Sequence, residues 1–164
     1  MNKEELNGAL RWHEAWLKGK LYGERADLHG EYLAGVNLQG KDLQHAVLRG
    51  AVLQHAELQH TNLQHADLRH AEVQHAELQH AILEDSDLQG AILRSADLRH
   101  SDLRGADLRH SDMRDADIDF ASWPLWCGSL EAYVDDRIAI QLLYHTLSVV
   151  QHSPYVSKTS RRSY

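Results

Sequence analysis

A large aliphatic residue stands at every fifth position from Leu28 to Ile118. Sixteen of these 19 positions are Leu, and the others are Val73, Met113 and Ile118. Two residues earlier comes a small residue: 12 Ala, Thr61, Ser86, Ser101 and Ser111, with Glu31, Val36 and Lys41 as departures. A period of five suits neither common element. On an α-helix, five residues advance the direction by roughly 140°, so the leucines would spray around the axis. On a flat strand, an odd spacing sends successive leucines to opposite faces. All of them reach one core only if the chain bends at each repeat. Within a repeat, the small residue and the leucine are two apart and point the same way from a short extended segment.

The bend has its own column. Two residues after each aliphatic position come six Gly, nine His, Asp85, Asp115, Ser95 and Phe120. Glycine is the usual residue where a backbone turns tightly. A chain that turns at every repeat and closes on itself is a solenoid with stacked coils.

The units ADLRH at 66–70, TNLQH at 61–65, SDLRG at 101–105 and ADLRH at 106–110 resemble the A-(D/N)-L-x-x unit of the pentapeptide repeat family. The resemblance covers residues 26–120. It implies an all-β solenoid, a right-handed quadrilateral β-helix with four pentapeptides per coil, to which the flanking sequence adds α-helical caps at both ends. Nineteen repeats then make about 4.75 coils and a column about 23 Å long at the usual strand spacing. The family also includes acidic DNA mimics that inhibit gyrase or protect it from quinolones, and members that dimerise through their C-terminal ends. The repeats here run without the interrupting loop of the quinolone-resistance members.

Open solenoid ends expose apolar side chains and unpaired backbone, so caps are expected. Residues 1–25 read as an N-terminal cap and link. A helix over 2–18 carries Leu6, Leu10, His13 and Leu17 on one stripe, with Trp12 and Trp16 beside it. Gly19 and Gly23 mark the passage to the repeats. Residues 121–152 read as the C-terminal cap, with Trp123, Leu125 and Trp126 over the last coil. A helix follows from about 135 to 150, with Asp135 or Asp136 as N-cap. Its apolar set is too wide for one face, which points to a homodimer built on Ile138, Leu142, Leu143, Leu147 and Val150. Residues 153–164 read as a loose tail.

Composition follows from the repeat: 25 Leu, 18 Ala, 13 His and 10 Gly in 164 residues, against one Phe and 2 Pro. The single Cys127 excludes an internal disulfide framework, and its aromatic setting suits a structural thiol. No apolar run reaches the length of a membrane span and no signal-peptide pattern is present, so a cytoplasmic protein without membrane association is expected. P-loop, GxGxxG, HExxH and nucleophile-elbow motifs are missing from the sequence, and the carboxylates recur with the fold. The chain is therefore read as no enzyme and as needing no cofactor.

Three surface features carry candidate chemistry. Histidines 20 apart share a corner, so His60, His80 and His100 form a ladder that a transition metal would need to bridge. The net charge of −7 would become +6 with all 13 His protonated. Residues 26–120 hold 17 acidic and eight basic residues, net −9, against about 13 charges on B-DNA of that length. Asp67, Asp87 and Asp107 stack on one face, and Glu57, Glu77, Asp97 and Asp117 on another. Seven Arg, five of them running from Arg94 to Arg114, sit beside these acids. Tyr32, Val52 and Ile92 make an outward apolar register broken by Glu72. The leading reading is a non-enzymatic protein-interaction module. It would mimic DNA toward a gyrase-like topoisomerase or a nuclease of a defence system, with no direct nucleic-acid binding of its own. A structural scaffold without a small ligand and a histidine-ladder metal solenoid are the alternatives.

Overall fold

A computed structural model of the chain describes residues 1–122, 132–136 and 138–140. From Ala26 to Ser122 every pentapeptide adopts one conformation, a single bridge residue followed by a two-residue turn. Asp27 bridges Val47, Tyr32 bridges Val52, Asn37 bridges Glu57 and Asp42 bridges Asn62, all in parallel. The same register continues to Asp102 and Ser122. Twenty residues are four pentapeptides, so each coil has four sides and four corners. The sequence suggests short extended segments. What forms is shorter still: among the described residues each side contributes one bridge and no continuous strand, because the turn returns after five residues.

One repeat accounts for all its amides. The Asp67 N–H donates to Ala46 O in the coil before (3.0 Å). Leu68 and His70 donate to Asp87 O (2.8 Å) and Gln89 O (2.9 Å) in the coil after. Ala66 donates to Leu63 O (3.1 Å) and closes the preceding turn. The fifth amide, that of Arg69, has no backbone partner of this kind and donates to Asp67 Oδ1 (3.2 Å). The same Asx turn recurs at Asp27, Asn37, Asp42, Asn62, Asp87, Asp97, Asp102, Asp107, Asp112 and Asp117. The Asp or Asn of the repeat is thus a local structural residue before it is a surface charge.

The interior holds the leucine column and the small column, nearly all fully buried. Glu31, Val36 and Lys41 all fall in the first coil, where a helix rather than another coil lies above. Three buried hydroxyls in the small column find carbonyls: Thr61 on Leu38 O, Ser86 on Leu83 O and Ser111 on Leu108 O, at 2.7–2.9 Å. Ser101 Oγ is buried with no hydrogen-bond partner among the described residues. A buried unpaired hydroxyl carries its desolvation cost without return. Ser101→Ala should therefore raise the unfolding free energy by about 1 kcal/mol, whereas Ser111→Ala should not. Urea unfolding of the two variants checks this; a Ser101→Ala protein that unfolds earlier than wild type would refute it.

Every corner residue sits in the left-handed region, φ +55° to +71°. Six are Gly, and the rest include nine His, two Asp, Ser95 and Phe120. A side chain there costs about 1 kcal/mol against glycine. Seven of the imidazoles have a compensating use, since His45 stacks on His65, His55 on His75, and His60 on His80 and His100.

Helix α1 spans Lys3–Leu17 and caps the first coil. Asn2 is its N-cap, accepting from the Glu4 and Glu5 amides, while Glu5 reaches back to the Asn2 amide in a capping box. Gly19 N–H to Trp16 O (2.9 Å) and Lys20 N–H to Ala15 O (2.9 Å) close its other end as a Schellman motif. Leu6 and His13 are buried and Leu10 packs on the core, as the stripe requires. Ala15 is also buried, because the link after Gly19 folds back over it.

His13 Nδ1 accepts the Ala26 N–H (3.1 Å), so its proton rests on Nε2. Burial lowers its pKa below the ordinary value, with Asp42 opposing part of that effect. The unfolded chain therefore takes up this proton at a higher pH than the folded one does. Its stabilisation is full above about pH 6.5 and is lost as the pH falls through the depressed folded value. The urea midpoint should fall from pH 7.5 to pH 5.5 by less in His13→Gln than in wild type; equal falls would exclude His13.

At the far end the ladder gains one residue, with Asp112 bridging Tyr133. Of the two N-cap candidates the structure selects Asp135. Its Oδ1 accepts from the Ile138 amide (2.9 Å), and its Oδ2 accepts from the corner amide of Asp115 (2.5 Å). One carboxylate thus starts a helical turn and closes a backbone ladder. Trp123, Leu125, Trp126, Cys127, most of the helix expected over 135–150 and the tail expected over 153–164 lie outside the described residues.

Candidate functional site

The exterior consists of four flat sides, each a ladder of side chains one coil apart. The predicted acidic stacks are formed as expected: Asp67, Asp87 and Asp107 bridge in sequence, as do Glu57, Glu77, Asp97 and Asp117. Their electrostatics differ. Arg69, Arg99, Arg104, Arg109 and Arg114 each lay a guanidinium fork on the carboxylate two residues earlier, through Nε and Nη2 at 2.5–3.1 Å. The Asx turn brings residue i+2 over the Asp, which puts an arginine at that position within reach of the carboxylate. These forks hold Asp67, Asp97, Asp102 and Asp112 below the ordinary carboxylate range, and Asp107 down to about 2. The forks are partly exposed, so each adds little to stability.

The first stack is therefore largely neutralised. Asp67 and Asp107 are held in forks, and Arg69 Nε lies 3.5 Å from Asp87. In the second stack Arg99 serves Asp97 (2.6 Å) and approaches Asp117 (3.9 Å). Glu57 and Glu77 differ, because their donors are amides: Asn37 for Glu57 at 2.5 Å, and Gln59 for Glu77. Among the described residues no Arg or Lys pairs with either. The sequence shows the arginines but not which acids they cover. The i, i+2 spacing of Asp and Arg across a turn is the signal that finds them.

The corner beside that second stack carries His60, His80, His100 and Phe120, ring centroids 4.9–5.1 Å apart and planes within 6° of parallel. His55 on His75 and His45 on His65 make shorter stacks. Ring nitrogen lone pairs lie in the ring plane. In parallel rings they run side by side and do not converge, so this arrangement does not let His60, His80 and His100 share one metal ion. Among the described residues no group of three His, Cys, Asp or Glu is placed to hold a metal.

The apolar register is also in place, with Tyr32, Val52, Glu72 and Ile92 bridging in order and Tyr32 exposed. Of the predicted dimer residues, Leu142, Leu143, Leu147 and Val150 lie outside the described residues. Ile138 is fully buried in this chain's own core and is not available to a second copy. Ile140, two residues on, is 65% exposed.

Comparison with curated proteins yields no match. Among solved structures, a pentapeptide repeat protein, Rfr23, from the cyanobacterium Cyanothece 51142 is 35% identical over 59% of this chain and 63% of that one, with TM-score 0.30. QnrB1, a plasmid-mediated fluoroquinolone resistance protein, is 18% identical over 76% and 65%, with TM-score 0.47. The pentapeptide repeat protein alr5209 from Nostoc Pcc 7120 is 31% identical over 76% and 93%, with TM-score 0.31. The chain spans a little under two thirds of Rfr23 and of QnrB1. The sequence profile of the pentapeptide repeats matches in 8 copies, over residues 26–64, 46–85 and 91–122. With that match over more than half its length, and with the twenty-residue register and five-residue turn of the structure, the chain belongs to the pentapeptide repeat family.

Proposed function

We propose that the protein is a binding module that engages a protein partner through one side of its solenoid, and that it performs no catalysis. The side is the one carrying Glu57 and Glu77, flanked by Asp97 and Asp117. The supporting observation is the contrast between forked and unforked acids. Where Arg follows Asp by two, the charge is spent within the chain. At Glu57 and Glu77 the following column is Gln, and the carboxylates keep their negative charge for a basic partner. A DNA-binding enzyme, whose surface is shaped for a line of anions, fits that description. The right hand of the coil, the cytoplasmic setting and a dimer formed by the C-terminal segment belong to the same proposal; exposed Ile140 beside buried Ile138 suits a helix with two apolar faces.

The test is competition with DNA. Micromolar protein should inhibit a gyrase supercoiling assay or a non-specific nuclease assay. Glu57→Gln/Glu77→Gln should relieve that inhibition by about tenfold, and Asp107→Asn should relieve it far less. No inhibition at micromolar protein sinks the DNA-mimic form of the proposal, and equal relief by both variants sinks the choice of side.

A further inference from the structure

The N-terminal end has a surface that neither the cap nor the acidic side explains. Leu21 is 107% exposed and Tyr22 is 65% exposed, although both sit in a tightly held turn. Gly23 N–H donates to Lys20 O (2.9 Å) across that turn, and Glu24 N–H donates to Trp12 O (3.1 Å). With the Lys20 bond to Ala15, these contacts tie the loop to the same end of α1 that carries Trp12 and Trp16. Those two indoles are one helical turn apart, and both are exposed, Trp12 by 49%. In sequence they fall beside the core stripe; the returning loop covers Ala15, Trp12 stays outside, and Trp16 stacks on His13 and meets His45 edge-on while keeping one edge in water.

Leu21, Tyr22 and Trp12 thus present large apolar or aromatic surface at this end, and Trp16 adds its uncovered edge. A mobile loop would hide Leu21 by collapse, but this turn is braced on both sides and holds it in water. The polar residues around it are mainly cationic. Lys20 and Arg25 flank the tip and are exposed, whereas Arg11 lies apart in the groove between α1 and the first coil with Glu4 and Glu14. Glu14 is ion-paired with Lys18, which leaves Glu24 as the loop's one acid. The net −9 of residues 26–120 lies on the sides of the solenoid behind this end.

We propose that this end is a docking site for an anionic membrane surface. Leu21 and Tyr22 would enter the interface, Trp12 and Trp16 would lie at headgroup level, and Lys20 and Arg25 would contact acidic headgroups. A projecting apolar tip suits a deformable lipid boundary, whereas a protein partner must supply a matching pocket. Approach is end-on. The acidic coils then recede by about 4.8 Å each and soon lie beyond the roughly 8 Å screening length of physiological salt. Among the described residues no helix is long and apolar enough to cross a membrane, so the association is peripheral. This departs from the expectation of no membrane association.

The experiment is co-sedimentation of the full chain with phosphatidylcholine vesicles containing about a third phosphatidylserine, read with tryptophan emission. Wild type should pellet with these vesicles, shift its emission to the blue, and bind pure phosphatidylcholine weakly. Leu21→Asp/Tyr22→Asp should lose about tenfold in bound fraction and lose the blue shift, with the thermal transition unchanged because both residues face water. If that variant fails to fold, Lys20→Glu/Arg25→Glu gives the independent reading, a similar loss confined to anionic vesicles. Absence of wild-type binding, undiminished binding by the folded variant, or equal binding to uncharged vesicles overturns the proposal. So does a soluble protein retained through Leu21 without any vesicle binding.

Discussion

Leu63→Ala should lower the unfolding free energy by about 3 kcal/mol, within the usual range for a leucine removed from a packed interior. Leu63 is 1% exposed and lies one coil from both Leu43 and Leu83, each buried in turn. Its own amide donates to Ile82 O (2.7 Å), so the backbone around it is fixed on both sides. The coil cannot shrink around the lost side chain without breaking those bonds, and most of the cavity remains. The core is only one leucine wide per side, which makes a void there cross the whole thickness of a wall. Stability in a solenoid is a sum of repeat and neighbour terms, and a central break weakens coupling to both halves. Equilibrium urea unfolding followed by circular dichroism measures the change, and a loss under 1 kcal/mol would mean the coils collapse freely. The opposite substitution, Ala76→Leu, should cost a similar amount by overfilling the small column, where Ala76 is 1% exposed.

Gly23→Ala is the second large effect, and it acts on the cap. A Cβ at Gly23 would lie 2.2 Å from Trp16 N and 2.5 Å from Ala15 C. Both are backbone atoms of α1, so no side-chain rotation relieves the overlap. Either the link lifts off the helix, giving up the Glu24 to Trp12 hydrogen bond, or the helix end shifts off the first coil and exposes Leu6 and His13. A loss of about 3 kcal/mol is expected. Because the cap is one end of a linear array, the loss should appear as early melting of α1. Hydrogen exchange should show it directly: faster exchange of the α1 amides, with coils three and four unchanged. Wild-type protection in α1 would show that the link accommodates a methyl group. Gly19→Ala is the useful contrast, since nothing stands near a Cβ there and only the left-handed φ of +66° is at stake.

The fold is legible in the sequence because one constraint repeats: only a chain that bends every five residues can bury every fifth leucine beside a small residue. The first-coil departures Glu31, Val36 and Lys41 also fit that logic, at a level with no coil above. The role of the aspartates is less legible. Their outward direction follows from the period, but the fifth amide they satisfy is visible only once the backbone partners of the other four are known. The candidate site changes for the same reason. Asp67, Asp87 and Asp107 form one acidic line in sequence with arginines beside it, and the turn that needs the oxygen of Asp67 and of Asp107 also delivers Arg69 and Arg109 to those carboxylates. Glu57 and Glu77 are distinguished by the Gln that follows them, a difference composition hides. Trp12 and Trp16 resist prediction because helical periodicity places them at the edge of the buried stripe. Which edge is covered depends on a returning loop whose path Gly23 decides.

The twenty-residue register also sets a unit of change for this chain. Adding or removing one pentapeptide in the middle would advance everything downstream by a quarter turn. Glu77 would leave the line of Glu57 while every leucine stayed inside. Stability would barely record the event, but the sides would be shuffled. Only a change of four repeats lengthens a side without rewriting it. Selection on a binding side in such a protein should therefore act on coils in whole numbers, and two relatives of equal stability that differ by five residues would present different surfaces from the same core.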